Sequence, residues 1–270
     1  MAPFLAYEDK GPPVATALPL VLIHGHPFDR TMWAPQVAAF APDRRVIVPD
    51  LRGYGASPVV PGITPLSVFA EDVAALLDEL RVPEFVLGGL SMGGQIVMEC
   101  YRLFPERIRG LLLADTSPAA ETPSGRTSRV AMAERLLREG MGGYAEEVLY
   151  RMVAPYARPE VVAHVRRMMT GTSAEGAAAA LRGRAERPDY RELLTRVGVP
   201  TLVVVGEDDA FTPVSDAEAM HAAVRGSELR VVRRAAHMPN LEHPTAFNEA
   251  LSDLLLRCDS VGAGGGCRRP

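Results

Sequence analysis

The chain has 270 residues, of which 47% are hydrophobic, and a formal net charge of -4. This length and apolar content favour one large domain with room for an inserted lobe, and they argue against two full domains. A charge balance without a broad basic field argues against nucleic acid as a partner.

Short apolar runs alternate with longer helical patterns along the chain. The runs are nearly continuous in Val, Leu and Ile, which is typical of strands buried on both faces of a parallel sheet. Between the second and third runs, residues 65–80 have the apolar periodicity of a helix, with Thr64 as the expected N-cap. The pattern predicts an α/β fold with a doubly wound, mostly parallel sheet. The runs are Leu18 to Ile23, Arg45 to Val48, Phe85 to Leu87, Ile108 to Leu113, Thr201 to Val205 and Leu229 to Val232.

The alternation breaks once, between residues 118 and 196. This segment has no strand pattern and is rich in Ala, Arg, Met and Glu, with Gly and Pro punctuation. It predicts three to five short helices that form a lid inserted in the core. Residues 1–117 and 197–258 would form that core, and the glycine-rich tail, residues 259–270, is expected to be disordered.

A serine surrounded by glycines follows the third apolar run. The stretch VLGGLSMGGQ, residues 86–95, places Ser91 between a strand and a helix. A turn this sharp needs small flanking residues, Gly89 and Gly93, so that strand and helix can approach each other. It presents the hydroxyl at the carboxyl end of the sheet, where open α/β folds bind ligands. The alternative interpretation is a glycine-rich helix start with an incidental serine.

An acidic loop and a histidine follow the last two runs. A serine hydroxyl is a weak nucleophile until a base takes its proton and an acid orients that base. GEDDAFTP, residues 206–213, follows the fifth run, and AAHMPN, residues 235–240, follows the sixth. Both loops are expected at the same sheet edge as Ser91, in the chain order Ser, Asp, His that suits this fold. The alternative is a solvated acidic turn and a loop histidine whose hydrogen bonds are satisfied locally.

The cysteines and the N-terminus favour a soluble, cytoplasmic protein. Cys100, Cys258 and Cys267 are too few and too scattered for a disulfide framework or a metal cluster. Glu8 and Asp9 stand where a signal peptide would need its apolar core. No uncharged stretch reaches the roughly 18 residues of a membrane helix, so no membrane partner is expected.

From about Leu18 to Leu255, the sequence resembles the α/β-hydrolase superfamily. It is most similar to the branch of cofactor-independent haloperoxidases, aryl esterases and 3-oxoadipate enol-lactonases. The joint occurrence of the matching pieces in this order is specific for the superfamily, although not for a substrate. The pieces are LIHGHPFDRTMW (22–33), PDLRGYGAS (49–57), GLSMGG (89–94), GEDDAFTP (206–213) and AAHMPNLEHP (235–244).

The resemblance implies a catalytic triad. Ser91 would be the nucleophile, His237 the general base and then acid, and Asp209 the orienting carboxylate. The family pattern Gly-x-x-Asp selects Asp209, although Asp208 stays open by proximity. Asp115, which follows an earlier strand, is a further candidate because some relatives place the acid there.

The resemblance also implies an oxyanion hole made of backbone N–H groups. These would belong to Met92, directly after the nucleophile, and to His26, in a loop that His24 is expected to brace. The same resemblance implies that the chain uses no cofactor and no metal.

The function that follows is a serine hydrolase that cleaves a carboxylic ester, lactone or thioester through an acyl-enzyme. Its partner would be a small, mainly apolar acyl substrate, and a lid arginine, Arg151, Arg182 or Arg184, is a candidate to accept an acidic group. Two alternatives stay open. One is an acyltransferase that passes the acyl group to an alcohol, an amine or a carrier-protein thiol, and the other is a non-catalytic ligand-binding protein on the same fold.

Overall fold

One seven-stranded sheet forms the centre of the molecule in this computed structural model, which describes residues 4–12 and 17–263. The strands are β1 Tyr7–Lys10, β2 Leu20–Ile23, β3 Val46–Pro49, β4 Phe85–Leu90, β5 Ile108–Ala114, β6 Thr201–Gly206 and β7 Glu228–Val232. Their order is β1-β3-β2-β4-β5-β6-β7. Only the β1–β3 pair is antiparallel. The predicted α/β fold with a mostly parallel sheet is confirmed.

Two strands differ from the prediction. The sequence pattern does not indicate β1, because its residues, YEDK, are mostly charged and lie half-exposed at the sheet edge. β4 extends to Leu90, through glycines that interrupt the apolar pattern. Within the sheet these glycines are buried, and Gly88 lies so close to the side chains of Leu22 and Leu112 that an added Cβ would come within 2.9 Å of both.

Helices cover both faces of the sheet. Alternate residues of β2 point to opposite sides, with Val21 and Ile23 in one apolar cluster and Leu20 and Leu22 in the other. Helices α2, α3 and α9 contribute to the first cluster, and α1 and α11 to the second. The helices are α1 Ala34–Phe40, α2 Leu66–Glu79, α3 Met92–Leu103, α4 Pro123–Glu139, α5 Met141–Met152, α6 Pro159–Gly171, α7 Ala174–Ala185, α8 Arg191–Leu194, α9 Val214–Ala223, α10 Pro239–Glu242 and α11 Pro244–Ala263.

The segment without a strand pattern forms helices α4 to α8, between β5 and β6. Helix α7 fixes this insertion to the core, since Gly183 lies against the Thr64 carbonyl and the Thr64 N–H donates to the Ala179 carbonyl at 3.0 Å. Thr64 is therefore not the N-cap of α2 as predicted. That helix starts at Leu66, with Pro65 at the N-cap position and no side-chain cap.

The chain end also departs from the expected disorder of residues 259–270. Helix α11 continues to Ala263, and residues 264–270, including Cys267, lie outside the described residues. The apolar side of this helix packs on the sheet through residues such as Leu254 and Cys258. No helix of the described residues is long and apolar enough to cross a membrane.

Candidate active site

The turn between β4 and α3 holds Ser91 in a left-handed backbone conformation, with φ 58° and ψ −117°. Such a conformation is costly for a residue with a side chain, and it requires close packing of the flanking backbone. A Cβ on Gly89 would lie 2.4 Å from the Gly93 backbone, and one on Gly93 would lie 2.2 Å from the Ile23 carbonyl oxygen. The two glycines therefore allow the sharp turn that presents the half-buried serine at the carboxyl end of β4.

The loop after β2 lies beside this turn. A Cβ on Gly25 would lie 3.2 Å from the Ser91 Cβ. His24 braces the loop as expected, because its Nδ1 donates to the Gly25 carbonyl at 2.9 Å and its Nε2 accepts from the Leu51 N–H at 2.9 Å. Burial lowers the pKa of His24, which agrees with this neutral ring.

Two backbone N–H groups of the turn and of the neighbouring loop find no acceptor in the described part of the chain. Among the described residues, neither the His26 nor the Met92 backbone N–H donates to a backbone carbonyl outside its own helix or strand or to a side chain. The Met92 group lies at the N-terminus of α3, where the helix dipole favours negative charge. Backbone N–H groups without an acceptor, beside a nucleophile, are what an oxyanion hole requires.

Asp209 and His237 form a buried hydrogen-bonded pair, with 2.8 Å between Asp209 Oδ2 and His237 Nδ1. The carboxylate also accepts from the Phe211 N–H at 2.8 Å and from the Thr212 hydroxyl. Burial alone would raise the pKa of Asp209, but His237 and these donors outweigh it and lower the pKa below the ordinary value. Since Asp209 is a carboxylate, Nδ1 carries the ring proton and Nε2 is left as the basic nitrogen.

Ser91 and His237 both line one cavity of about 300 Å³. They come from β4 and from the loop after β7, which are far apart in sequence but end at the same sheet edge. The described residues show no hydrogen bond between the Ser91 hydroxyl and the His237 ring. Hydrogen bonds at catalytic sites are often long before a substrate binds.

The two other acids of the loop after β6 point away from the cavity. Glu207 and Asp208 are both exposed. The Glu207 carboxylate accepts from the Arg234 N–H at 3.1 Å, and the Asp208 carboxylate accepts from the Tyr156 hydroxyl. The geometry therefore favours Asp209 over both as the partner of His237.

Asp115, the third candidate acid, lies next to the pair. Its Oδ1 accepts from the Gly206 N–H at 2.8 Å, and its buried Oδ2 has no partner in the described part of the chain. Burial and the charge of Asp209 raise the pKa of Asp115 well above its usual range. One ligand-type atom from each of Asp115, Asp209 and His237 lies within 4.8 Å of the others. Within this cluster His237 Nδ1 is already engaged by Asp209, so the group is arranged as a hydrogen-bonded His–Asp pair with a second acid beside it.

Glu242, which the sequence analysis missed, anchors the loop that carries His237. Its two carboxylate oxygens accept from the Ala236 N–H at 2.9 Å and from the Ala154 N–H at 2.8 Å. The side chain is buried although glutamate is usually exposed. A glutamate in the helical turn directly after the histidine loop was the only signal for this role in the sequence.

The cavity is more polar than the mainly apolar acyl substrate predicted from the sequence would require. Apolar side chains are contributed by Met152, Leu181 and Phe211, and most other lining residues are polar or charged. Of the three candidate lid arginines, only Arg184 lines the cavity. The Arg182 guanidinium binds Glu134 at 2.6 Å instead, and that of Arg151 lies 4.2 Å from the centre of the Phe211 ring.

Comparisons with known proteins agree with this geometry. Residues 20–250 match the alpha/beta hydrolase family. 3-Oxoadipate enol-lactonase 2 of Acinetobacter baylyi is 33% identical to this chain, over 84% of this chain and 84% of that protein. An esterase of Thermogutta terrifontis superposes with a TM-score of 0.91 at 40% identity, over 94% of each chain. The enol-lactonase of Burkholderia xenovorans superposes with a TM-score of 0.86 at 29% identity, over 93% of this chain and 96% of that one.

These relatives confirm the resemblance that the sequence motifs indicated, including the branch that contains enol-lactonases. The match covers both halves of the core and the helical insertion between them. The chain belongs to the alpha/beta hydrolase family and is a hydrolase of α/β fold.

Proposed function

We propose that this protein hydrolyses a carboxylic ester or lactone through an acyl-enzyme formed on Ser91. One observation carries the proposal: His237, joined to the buried Asp209 at 2.8 Å, lines the same cavity as the serine of the strained turn. A base that is oriented by a carboxylate, in the same cavity as a serine hydroxyl, is the arrangement that activates a serine nucleophile.

In the first step, the Ser91 oxygen would attack the substrate carbonyl while His237 Nε2 takes the hydroxyl proton. The carbonyl oxygen gains negative charge and would be stabilised by the unpaired N–H groups of His26 and Met92, each of which is typically worth about 3 kcal/mol. His237 then returns the proton to the leaving alcohol, which departs as the acyl-enzyme forms. In the second step, His237 activates a water that releases the acid and restores Ser91.

The volume of the cavity favours a small substrate. About 300 Å³ is at the lower end of the range for small-molecule sites. We therefore infer a compact acyl group, not a long aliphatic chain.

Labelling with a fluorophosphonate probe at neutral pH tests the proposal. We expect a covalent adduct on Ser91, and loss of both the adduct and ester turnover in Ser91→Ala, by about a million-fold in kcat. Ser117→Ala is the matched control, because Ser117 lines the same cavity without lying on the strained turn. An unlabelled Ser91 in the folded protein would contradict the proposal and favour a ligand-binding role.

The same assay separates hydrolysis from acyl transfer. The substrate is a chromogenic ester, and an alcohol is added as a possible acyl acceptor. If the protein is a hydrolase, the alcohol competes only weakly with water and the free acid is the main product. If the ester of the added alcohol is the main product instead, the protein is an acyltransferase, because the closed cavity then excludes water from the acyl-enzyme.

A further inference from the structure

Arg184 is a buried cation on the wall of the cavity. The residue is 9% exposed, and its Nε donates to Gln95 Oε1 at 3.1 Å. Within residues 4–12 and 17–263, no acidic side chain forms an ion pair with its guanidinium. Burial, together with repulsion from Arg129 and Arg187, lowers the pKa of Arg184 well below its usual range. Proteins rarely keep such a cation unpaired in the interior unless a ligand supplies the opposite charge.

The neighbouring charges do not compensate Arg184. Arg129 and Arg187 both donate to the Glu121 carboxylate, so one acid already serves two cations. The other acid of the cavity wall, Asp216, is partly exposed on α9. The part of the cavity next to Arg184 therefore has a positive potential.

A second buried polar group points to a ligand at the same place. His26 Nε2 is buried and has no hydrogen-bond partner among the described residues, while His26 Nδ1 lies 2.8 Å from the Tyr54 hydroxyl. If Tyr54 donates its proton to Nδ1, then Nε2 carries the ring proton and is a free donor. His26 and Arg184 line the same cavity as Ser91.

We propose that this cavity binds a free carboxylate of the substrate, with Arg184 as its cationic partner and His26 Nε2 as a second donor. The substrate is then an ester or lactone that carries a second, unreacted carboxyl group. A guanidinium is planar and binds a carboxylate with two parallel hydrogen bonds, and one unpaired cation matches one carboxylate. The inference rests on the proposed function, because it specifies the substrate of the same site.

Three phenyl-type esters of similar size test the inference. Phenyl butyrate is neutral, phenyl hydrogen glutarate carries the carboxylate on the acyl side, and the butyrate ester of para-hydroxybenzoate carries it on the leaving group. We expect at least one anionic ester to have a higher kcat/KM than phenyl butyrate. Arg184→Met should lower that preference by about 10- to 100-fold, and Arg184→Lys should restore part of it.

Arg182→Gln is the matched control, because Arg182 lies on the same helix and binds Glu134 outside the cavity. This variant should keep the preference of the wild-type protein. Inhibition of phenyl butyrate hydrolysis by glutarate, compared with butyrate, gives a readout that needs no variant, and glutarate should inhibit at the lower concentration.

The two proposals fail in different ways. Phenyl butyrate turnover with no preference for either anionic ester, or a preference that survives in Arg184→Met, would overturn the carboxylate site and leave the acyl-enzyme intact. Absence of turnover for all three esters, together with an unlabelled Ser91, would overturn the proposed function itself.

Discussion

At the scale of single residues, the pKa values of the neighbouring acids Asp209 and Asp115 shift in opposite directions because their surroundings differ. Asp209 accepts hydrogen bonds from His237, Thr212 and the Phe211 N–H, which stabilise its carboxylate. Asp115 accepts from the Gly206 N–H alone among the residues that the structure describes, and it faces the charge of Asp209. Two close carboxyl groups rarely both ionise, so the one with more hydrogen-bond donors keeps the charge.

The two acids should therefore respond differently to the same substitution. Asp209→Asn removes the carboxylate that orients His237 and should lower kcat by about 10⁴-fold. Asp115→Asn replaces a protonated acid by a neutral amide of the same shape and should keep most of the activity. Steady-state kinetics of both variants on one ester checks this, and a comparable loss in Asp115→Asn would assign the orienting role to that residue.

At the scale of elements, the loop after β7 depends on the short helix α10. Glu242 in α10 accepts the N–H groups of Ala236 and Ala154, and this ties the histidine loop to the segment after α5. Because buried N–H groups are costly when unpaired, Glu242→Ala should destabilise the protein by about 2–6 kcal/mol, taken as about 1–3 kcal/mol for each donor. Denaturant unfolding measures this change, and Glu249→Ala, an exposed position on α11, is the control.

The docking of α7 on the core depends on a close backbone approach. A Cβ on Gly183 would lie 1.7 Å from the Thr64 carbonyl oxygen, whereas Gly142 on α5 has open space. Gly183→Ala should therefore cost about 1–3 kcal/mol of stability, while Gly142→Ala should stabilise by about 0.5–1 kcal/mol because alanine is the better helix former. Thermal unfolding of the two variants compares them directly, and equal effects would show that α7 does not pack as described.

At the scale of the whole molecule, buried acids couple stability to pH. Burial and Asp209 raise the pKa of Asp115, so the folded protein holds this proton more tightly than the unfolded chain. The contribution of Asp115 to stability is then fully present below the ordinary aspartate pKa of about 3.9 and is lost as the pH rises towards the raised value. Asp209 has a lowered pKa, and its contribution is lost in the opposite direction, as the pH falls.

Asp115→Asn should separate these two effects. Asparagine carries no charge to bury, so the melting temperature of the variant should exceed that of the wild-type protein at pH 8, and the difference should vanish near about pH 4. Thermal unfolding at a series of pH values measures both curves. A difference that is independent of pH would mean that Asp115 is already ionised in the folded protein.

The sequence by itself indicated the parallel part of the sheet, the strand-free helical segment and the candidate residues of the proposed acyl chemistry, because local patterns encode them. Apolar runs indicate buried strands, and the close approach at Ser91 admits only glycines at positions 89 and 93. It did not determine β1, which is polar and at an edge, the end of α11, or the role of Glu242. Only the tertiary structure showed which of the three acids contacts His237, and that Arg184 has no ion-pair partner within residues 4–12 and 17–263. Hydrogen-bond partners and charge compensation depend on side chains that lie far apart in sequence and meet only when the sheet is assembled.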